Sequence, residues 1–329
     1  MRRAPDFWAN PPDAPGLAAR LLTPLSALWR WRTARRIASG PGERPGPPVI
    51  CVGNLTAGGS GKTPVVSALL QRIDGAVALS RGYGGTLEGP VAVDPARHTA
   101  GQVGDEPILL SGFGPVWVAR DRAAGARAAA KAGARAIVMD DGFQNPALAK
   151  DLSIVVIDAA AGFGNGRIIP AGPLREPVEP GLRRADFVLI LGTPARRARF
   201  LEQHPQIAAR PVLQGALKPL QTGMPWQDLR CLAFAGIGRP AKFFESLRAV
   251  GADVVATRSF SDHAQYPEPM LRRLLAEAQA AGAQLVTTEK DAVRLPAHIR
   301  PQVLTLPVRL ELEDWAPLDA ALARVVGAQ

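Results

Sequence analysis

Hydrophobic positions follow two kinds of spacing along the chain. In residues 17–38, LAARLLTPLSALWRWRTARRIA, Leu17, Leu21, Leu25, Leu28 and Trp31 recur at steps of three or four, which places them on one helical face. Arg30, Arg32, Arg35 and Arg36 crowd the C-terminal end, where cations suit the helix dipole. Two readings stand for this stretch. It is a helix packed on its own domain, or a monotopic membrane helix with Trp29 and Trp31 at the interface and arginines on anionic head groups. Pro24 would kink either version.

Beyond the stiff segment PGERPGPP (41–48) the spacing changes. Short apolar runs at Val49–Val52, Ala76–Leu79, Val116–Val118, Ala136–Met139, Ile154–Ile157 and Phe187–Leu191 alternate with helical stretches. That alternation predicts an α/β fold with a mostly parallel sheet. From about residue 230, CLAFAG, PAKFFESLRAV, DVVATRSF, PEPMLRRLLAEAQAAG and QLVTTE read as a compact βαβαβ unit. The expected division is therefore an N-terminal helix over 1–40, a larger α/β domain over 41–225 and a smaller α/β domain over 226–329. PVLQGALKPL (211–220) and VLTLPVRLEL (303–312) are expected to pair as a two-stranded connection.

Charge and composition narrow the partners. The 329 residues carry a net charge of +10, which invites a phosphorylated substrate, an anionic lipid surface or nucleic acid. Only six of the 39 basic residues are lysine, so each lysine is mildly informative. Cys51 and Cys231 stand far apart and the four histidines are scattered, which argues against a disulfide framework and a zinc site. MRRAPDFW lacks an apolar run behind its arginines, and no stretch of 18 apolar residues occurs, so neither export nor membrane spanning is expected.

The chemistry gathers around NLTAGGSGKTP (54–64). Gly58, Gly59, Ser60, Gly61, Lys62 and Thr63 follow a strand and precede a helix. Backbone N–H groups would curl around phosphate oxygens, Lys62 would reach the β and γ phosphates, and the Thr63 hydroxyl would ligate Mg²⁺. Thr56 stands where the usual spacing places a glycine, and with Ala57 it shapes the loop entrance. A carboxylate near the metal is needed, and Asp140 and Asp141 end an apolar strand-like run. Their alternative is capping or a turn at the strand end. Asp105 and Glu106 form a second acidic pair, and His263 follows Asp262 in SFSDHAQY. On spacing alone His263 reads as an ordinary loop histidine.

Together VGNLTAGGSGKTP, LSRGYGG (79–85), VGDEPILL (103–110), DDGFQ (140–144), IIPAGPLREP (168–177), FSDHAQY (260–266) and TEKDAVRL (288–295) resemble, in order, the motif series of the tetraacyldisaccharide 4'-kinase family, the lipid A 4'-kinases of Gram-negative bacteria. The resemblance runs from about residue 20 to 310. It implies transfer of the γ-phosphoryl of ATP, with Mg²⁺, to the 4'-hydroxyl of an acylated disaccharide 1-phosphate at the cytoplasmic face of the inner membrane. It also implies two α/β/α domains joined by a two-stranded linker, with an N-terminal helix on the membrane. By the same resemblance Asp105 is the catalytic base, assisted by His263 across an interdomain cleft. Glu106, Asp140 and Asp141 form the metal and nucleotide cluster with Thr63, while Arg122 and Arg175 neutralise phosphate charge. Arg122 alternatively supports its helix. Ser80, Arg81, Gly82, Tyr83, Lys290 and Asp291 are given only structural or substrate-contact roles.

Two positions depart from the family pattern: Asn145 after DDGFQ and Ala264 after DH, where histidine is frequent. The alternatives are a P-loop switch ATPase or a nucleic-acid-dependent ATPase. Against the first, Ala57 replaces the signature lysine of switch ATPases, and the base-reading N/T-K-x-D of GTPases is missing. Against the second, aromatics make up only 5% of the chain and no basic and aromatic stacking series is visible, so no nucleic-acid partner is expected.

Overall fold

A computed structural model describes residues 4–327. Its strands, in chain order, are β1 (Val49–Gly53), β2 (Ala76–Ser80), β3 (Val91–Ala92), β4 (Val116–Val118), β5 (Ala136–Asp140), β6 (Leu152–Asp158), β7 (Phe187–Leu191), β8 (Val212–Pro219), β9 (Arg230–Ala235), β10 (Asp253–Ser259), β11 (Gln284–Thr288), β12 (Leu304–Leu306) and β13 (Val308–Leu312). The helices are α1 (Leu17–Ile37), α2 (Lys62–Arg72), α3 (Ala100–Val103), α4 (Asp105–Leu110), α5 (Arg122–Lys131), α6 (Val178–Arg183), α7 (Pro194–Gln203), α8 (Pro240–Ala249), α9 (Glu268–Ala280), α10 (Glu289–Ala292) and α11 (Ala316–Val326).

Nine strands form one sheet in the order β13-β8-β7-β6-β1-β5-β2-β4-β3. From β8 to β4 all neighbours run parallel, and the two edge strands, β13 and β3, are antiparallel. Central strands of such a sheet are covered on both faces, so they read as unbroken apolar runs. Along β1, Ile50 and Val52 enter one core while Val49 and Cys51 enter the other, as the two-residue repeat of a strand requires. The second sheet, β10-β9-β11-β12, is wholly parallel and has its own two cores.

Residues 308–312 pair antiparallel with 215–219, while residues 304–306 belong to the smaller sheet. The end of the chain differs from the expected division. Leu318, Ala321 and Leu322 of α11 are buried in the core of the nine-stranded sheet, so residues 308–326 return to the larger unit. The physical reason is the apolar face of α11, which covers strands that would otherwise be open to water.

Helix α1 is turned opposite to an ordinary amphipathic helix. Its buried residues are Ala19, Ser26 and Thr33, spaced by seven, and the Ser26 hydroxyl donates to the Ile168 carbonyl at 2.7 Å. Leu17, Leu21, Leu25, Leu28, Trp29 and Trp31 face outward, with Leu17 73% and Leu21 70% exposed. The leucine stripe is therefore not the face that packs on the protein. Among the described residues no helix is long and apolar enough to cross a membrane.

The smaller unit is pinned by a fully buried carboxylate. Asp291 accepts from the Gly236 N–H, the Tyr266 hydroxyl, the Thr288 hydroxyl and Arg294. Asp291→Ala strands these donors, and breaking such a buried pair costs about 3–5 kcal/mol. Urea titration is expected to show a clearly lower unfolding midpoint; a midpoint equal to wild type would contradict this role.

Candidate active site

The segment between β1 and α2 builds the anion-binding end of a cleft of about 560 Å³ between the two sheets. Gly58 and Gly61 adopt φ of +111° and +90°, which a side chain would resist, and Gly61 is the N-cap of α2. Backbone N–H groups and the positive end of the helix dipole therefore face the cleft together. The buried Asn54 amide donates to Ser60 Oγ at 3.0 Å, and the Ala57 N–H donates to the Pro173 carbonyl at 2.7 Å, which braces both ends of the loop. Thr56 is held by a bridge to Leu174, so the non-glycine opening is tied to the IIPAGPLREP segment.

At the end of β5, Asp140 is buried. Desolvation, then the charges of Glu106 and Asp141, push its carboxyl up to about 7. Asp141 sits at a φ of +50°, which is uncommon outside glycine. Its burial opposes ionisation, but Lys62, at 3.5 Å, and Arg175, bidentate at 2.8 and 3.0 Å, outweigh it and hold the carboxyl well below the usual range. Arg122 is buried behind this pair. Its guanidinium donates to the carbonyls of Leu79 and Asp140, the ends of β2 and β5, at 3.0 and 2.8 Å.

Across the cleft the smaller unit supplies the countercharges. His263 Nδ1 lies 2.9 Å from Asp105 Oδ2 and 3.1 Å from Oδ1. Burial raises the Asp105 carboxyl, yet the His263 hydrogen bond, with the charges of Lys290 and Arg294, more than offsets this and holds it below the ordinary value. Lys290 Nζ is 3.0 Å from Glu106 and 3.7 Å from Asp262. Burial disfavours its charge, but Glu106, Asp105 and Asp262 raise its pKa above the ordinary value. Farther along, Asp158 at the end of β6 is paired with Arg239 and, at 3.0 Å, with Lys242. Gly238 comes so close to the phosphate loop that a Cβ there would lie 3.1 Å from the Gly59 nitrogen.

A family model described as tetraacyldisaccharide-1-P 4'-kinase matches residues 18–327. The chain belongs to the tetraacyldisaccharide-1-P 4'-kinase family. It is 62% identical to the tetraacyldisaccharide 4'-kinase of Dinoroseobacter shibae over 97% of this chain and 96% of that one. With the Jannaschia sp. enzyme of the same name it shares 56% identity over 99% of each. The crystal structure of an "apo" form of LpxK from Aquifex aeolicus in complex with ATP is similar at a TM-score of 0.75 and 26% identity, over 94% of this chain and all of that one.

Within this family frame, the fold brings the candidate residues to one cleft. Ala57 to Thr63, Glu106, Arg122, Asp140, Asp141, Arg175 and His263 line it, with Asp105 buried behind His263. Asn145 also lines it, whereas Ala264 packs against the Leu232 and Phe234 core of the smaller unit. Asp158, Arg239 and Lys242 were not among the residues singled out from sequence. Two signals pointed to them: a carboxylate ending the strand-like run IVVID, and a rare lysine. Three of the six lysines, Lys62, Lys242 and Lys290, line the cleft.

The donor set suits a magnesium-type cation. Among the described residues no three His, Cys, Asp or Glu side chains encage an ion. Mg²⁺ sites in kinases need only one or two carboxylates, with a hydroxyl, phosphates and water completing the shell. Burial and two other carboxylates oppose ionisation of Asp140 despite the charges of Lys62 and Arg122, and such an ion would relieve that opposition.

Asp140 also makes the metal-free protein pH-sensitive. In the unfolded chain an aspartate titrates near ~3.9. Between there and about 7 the folded chain keeps a proton that the unfolded chain has lost. The contribution of Asp140 to stability is thus complete below about pH 4 and is lost as pH rises through about 7. Metal-free Asp140→Asn is expected to melt higher than wild type at about pH 8, with the gap closing toward pH 4 in thermal scans with chelator. An equal melting difference at both pH values would contradict this assignment.

Proposed function

We propose that this chain transfers the γ-phosphoryl group of ATP to the 4'-hydroxyl of a tetraacyldisaccharide 1-phosphate, with Asp105 as the base. The observation that carries the reading is the 2.9 Å contact between His263 and Asp105, in the same cleft as the phosphate-binding loop. A sugar hydroxyl is a weak nucleophile, and a carboxylate within reach of its proton assists attack. Phosphoryl transfer proceeds through a loose transition state, so a base that is always ionised and correctly placed is more useful than a strong one. The lowered Asp105 carboxyl meets that requirement at neutral pH.

The remaining roles follow from position and charge. The N–H groups from Gly58 to Thr63 and the Lys62 ammonium would hold the nucleotide phosphates, the Ala57 N–H being engaged by the Pro173 carbonyl. Thr63, Asp140, Asp141 and Glu106 are the candidates to hold Mg²⁺, which would neutralise phosphate charge when bound. Lys290 occupies Glu106 and Arg175 occupies Asp141, which favours Thr63 and Asp140 among them. Arg122 acts as a positioning residue for the ends of β2 and β5, since its guanidinium is bound to their carbonyls. In this scheme residues 41–225 hold the nucleotide, and the smaller unit from 226 supplies His263.

Helix α1 fits a lipid acceptor. Its outward leucines and tryptophans would lie in the anionic cytoplasmic surface of the inner membrane, with the arginines at head-group level. The same helix reaches the site: Arg36 lines the cleft, and the Trp29 indole donates to the Arg175 carbonyl at 3.2 Å. An acceptor drawn from the membrane would therefore arrive beside the phosphate-binding loop.

With Mg-ATP and the tetraacyl disaccharide 1-phosphate in detergent, mass spectrometry is expected to find one added phosphate; folded wild-type protein that makes no product refutes the activity. Asp105→Ala should lower kcat by about 10²–10⁴ while ATP binding persists. A wild-type rate in that variant would remove Asp105 from the mechanism. Replacing Leu21, Leu25 and Leu28 with Asp should release the chain from anionic vesicles, because each buried leucine contributes about 1.5–3 kcal/mol. Undiminished co-sedimentation would return α1 to a purely structural role.

A further inference from the structure

The Asp105–His263 pair leaves one question of chemistry open: which nitrogen of the imidazole carries the proton. Nδ1 faces Asp105 at 2.9 Å, and Nε2 faces Lys290 Nζ at 3.4 Å. An ammonium has three donors and no acceptor capacity. Its other near neighbours are the Glu106 carboxylate at 3.0 Å and the Asp262 carboxylate at 3.7 Å. Toward the ring it has only a proton to offer, so Nε2 must present its lone pair.

We propose that Lys290 fixes His263 as the neutral Nδ1–H tautomer, making it a donor to Asp105 that cannot itself take the proton of the acceptor hydroxyl. Lys290 is thereby a positioning residue. It acts through His263 on Asp105, and its catalytic consequence rests on the kinase reading above.

The groups facing His263 agree with this assignment. Asp262 Oδ1 is 3.8 Å from Nε2, beyond hydrogen-bonding distance, and the same oxygen is drawn to Lys290. The Tyr83 ring stacks obliquely with a centroid separation of 5.4 Å, which limits rotation of the imidazole without competing for either nitrogen. Arg294, 3.6 Å from Asp105 Oδ2 and bonded to the carbonyls of Gly236 and Ala264, keeps Asp105 anionic so that it accepts rather than donates. His263 sits at a φ of +58°, a conformation held in part by its own N–H to the Gly236 carbonyl at 3.2 Å. The ring is thus fixed in place from the backbone, from one face and at both nitrogens.

Hydrogen-bond partners of the second ring nitrogen select the tautomer of a histidine. Without the ammonium, Nε2 is free to take up a proton from water, with the Asp262 carboxylate nearby to favour it. A protonated Nε2 would either reverse the Nδ1 hydrogen bond or make the ring an imidazolium. In both cases Asp105 would lose basicity toward the acceptor.

The test is nitrogen NMR on full-length protein labelled with ¹⁵N-histidine, with the His263 signals assigned by His263→Gln. Wild type is expected to show a protonated Nδ1 and an unprotonated Nε2. In Lys290→Met the unprotonated Nε2 signal should be lost and kcat should fall about tenfold or more, with both KM values within about twofold. Lys290→Arg, which keeps a donor there, should restore the Nδ1–H pattern and much of kcat. A wild-type ring protonated at Nε2, alone or at both nitrogens, overturns the proposal. So does an unchanged Nδ1–H pattern in Lys290→Met. Should Lys290→Met fail to fold, the wild-type and Lys290→Arg spectra decide the matter. Failure of wild type to phosphorylate the disaccharide would count against the kinase reading and leave the tautomer result intact.

Discussion

Buried carboxylates must be neutralised, and in this protein that requirement joins the two sheets. Asp105, Glu106 and Asp158 belong to the nine-stranded unit, and their partners, His263, Arg294, Lys290, Arg239 and Lys242, come from the smaller one. Coulomb attraction is strong where water is excluded, so these ion pairs, with the His263 hydrogen bond to Asp105, draw the walls of the cleft together. Asp141 differs in having partners from its own unit, Lys62 and Arg175. Asp140 is left with the weakest compensation, which is why it holds its proton up to about neutral pH.

The same arrangement separates roles among chemically similar groups. Two aspartates within one cleft are driven in opposite directions. Asp105 is kept ionised by His263 and neighbouring cations, whereas Asp140 is pushed toward the neutral form by burial and like charge. Such divergence distinguishes a group suited to accept a proton from one suited to meet a metal ion. Asp140 lines the cleft that the loop at residues 54–63 also lines, and Asp105 is held at its edge by His263.

Much of this was legible in the sequence because strands of a parallel sheet are apolar throughout. Val116–Val118 and Phe187–Leu191 coincide with their observed strands, and the smaller unit follows its βαβαβ pattern. Local spacing could not show that His263 lies beside Asp105, 158 residues away, since that contact depends on how two units dock. Only the ordered series of motifs suggested it. The clamp of Asp158 with Arg239 and Lys242 was missed for the same reason. Helix α1 shows another limit of pattern reading: its leucine spacing gives an apolar face but not its direction. Small residues, Ala19, Ser26 and Thr33, make the close contact with the protein and leave the leucines outside.

The central claim is that Asp105 and His263 act as one unit across the cleft. A double-mutant cycle on kcat tests it most directly, using Asp105→Asn, His263→Ala and the combined variant in otherwise identical chains. The account predicts that the combined variant is no slower than the slower single variant, because removing either group disables the same proton acceptor. Losses that multiply would show that the two residues act independently, and would contradict it.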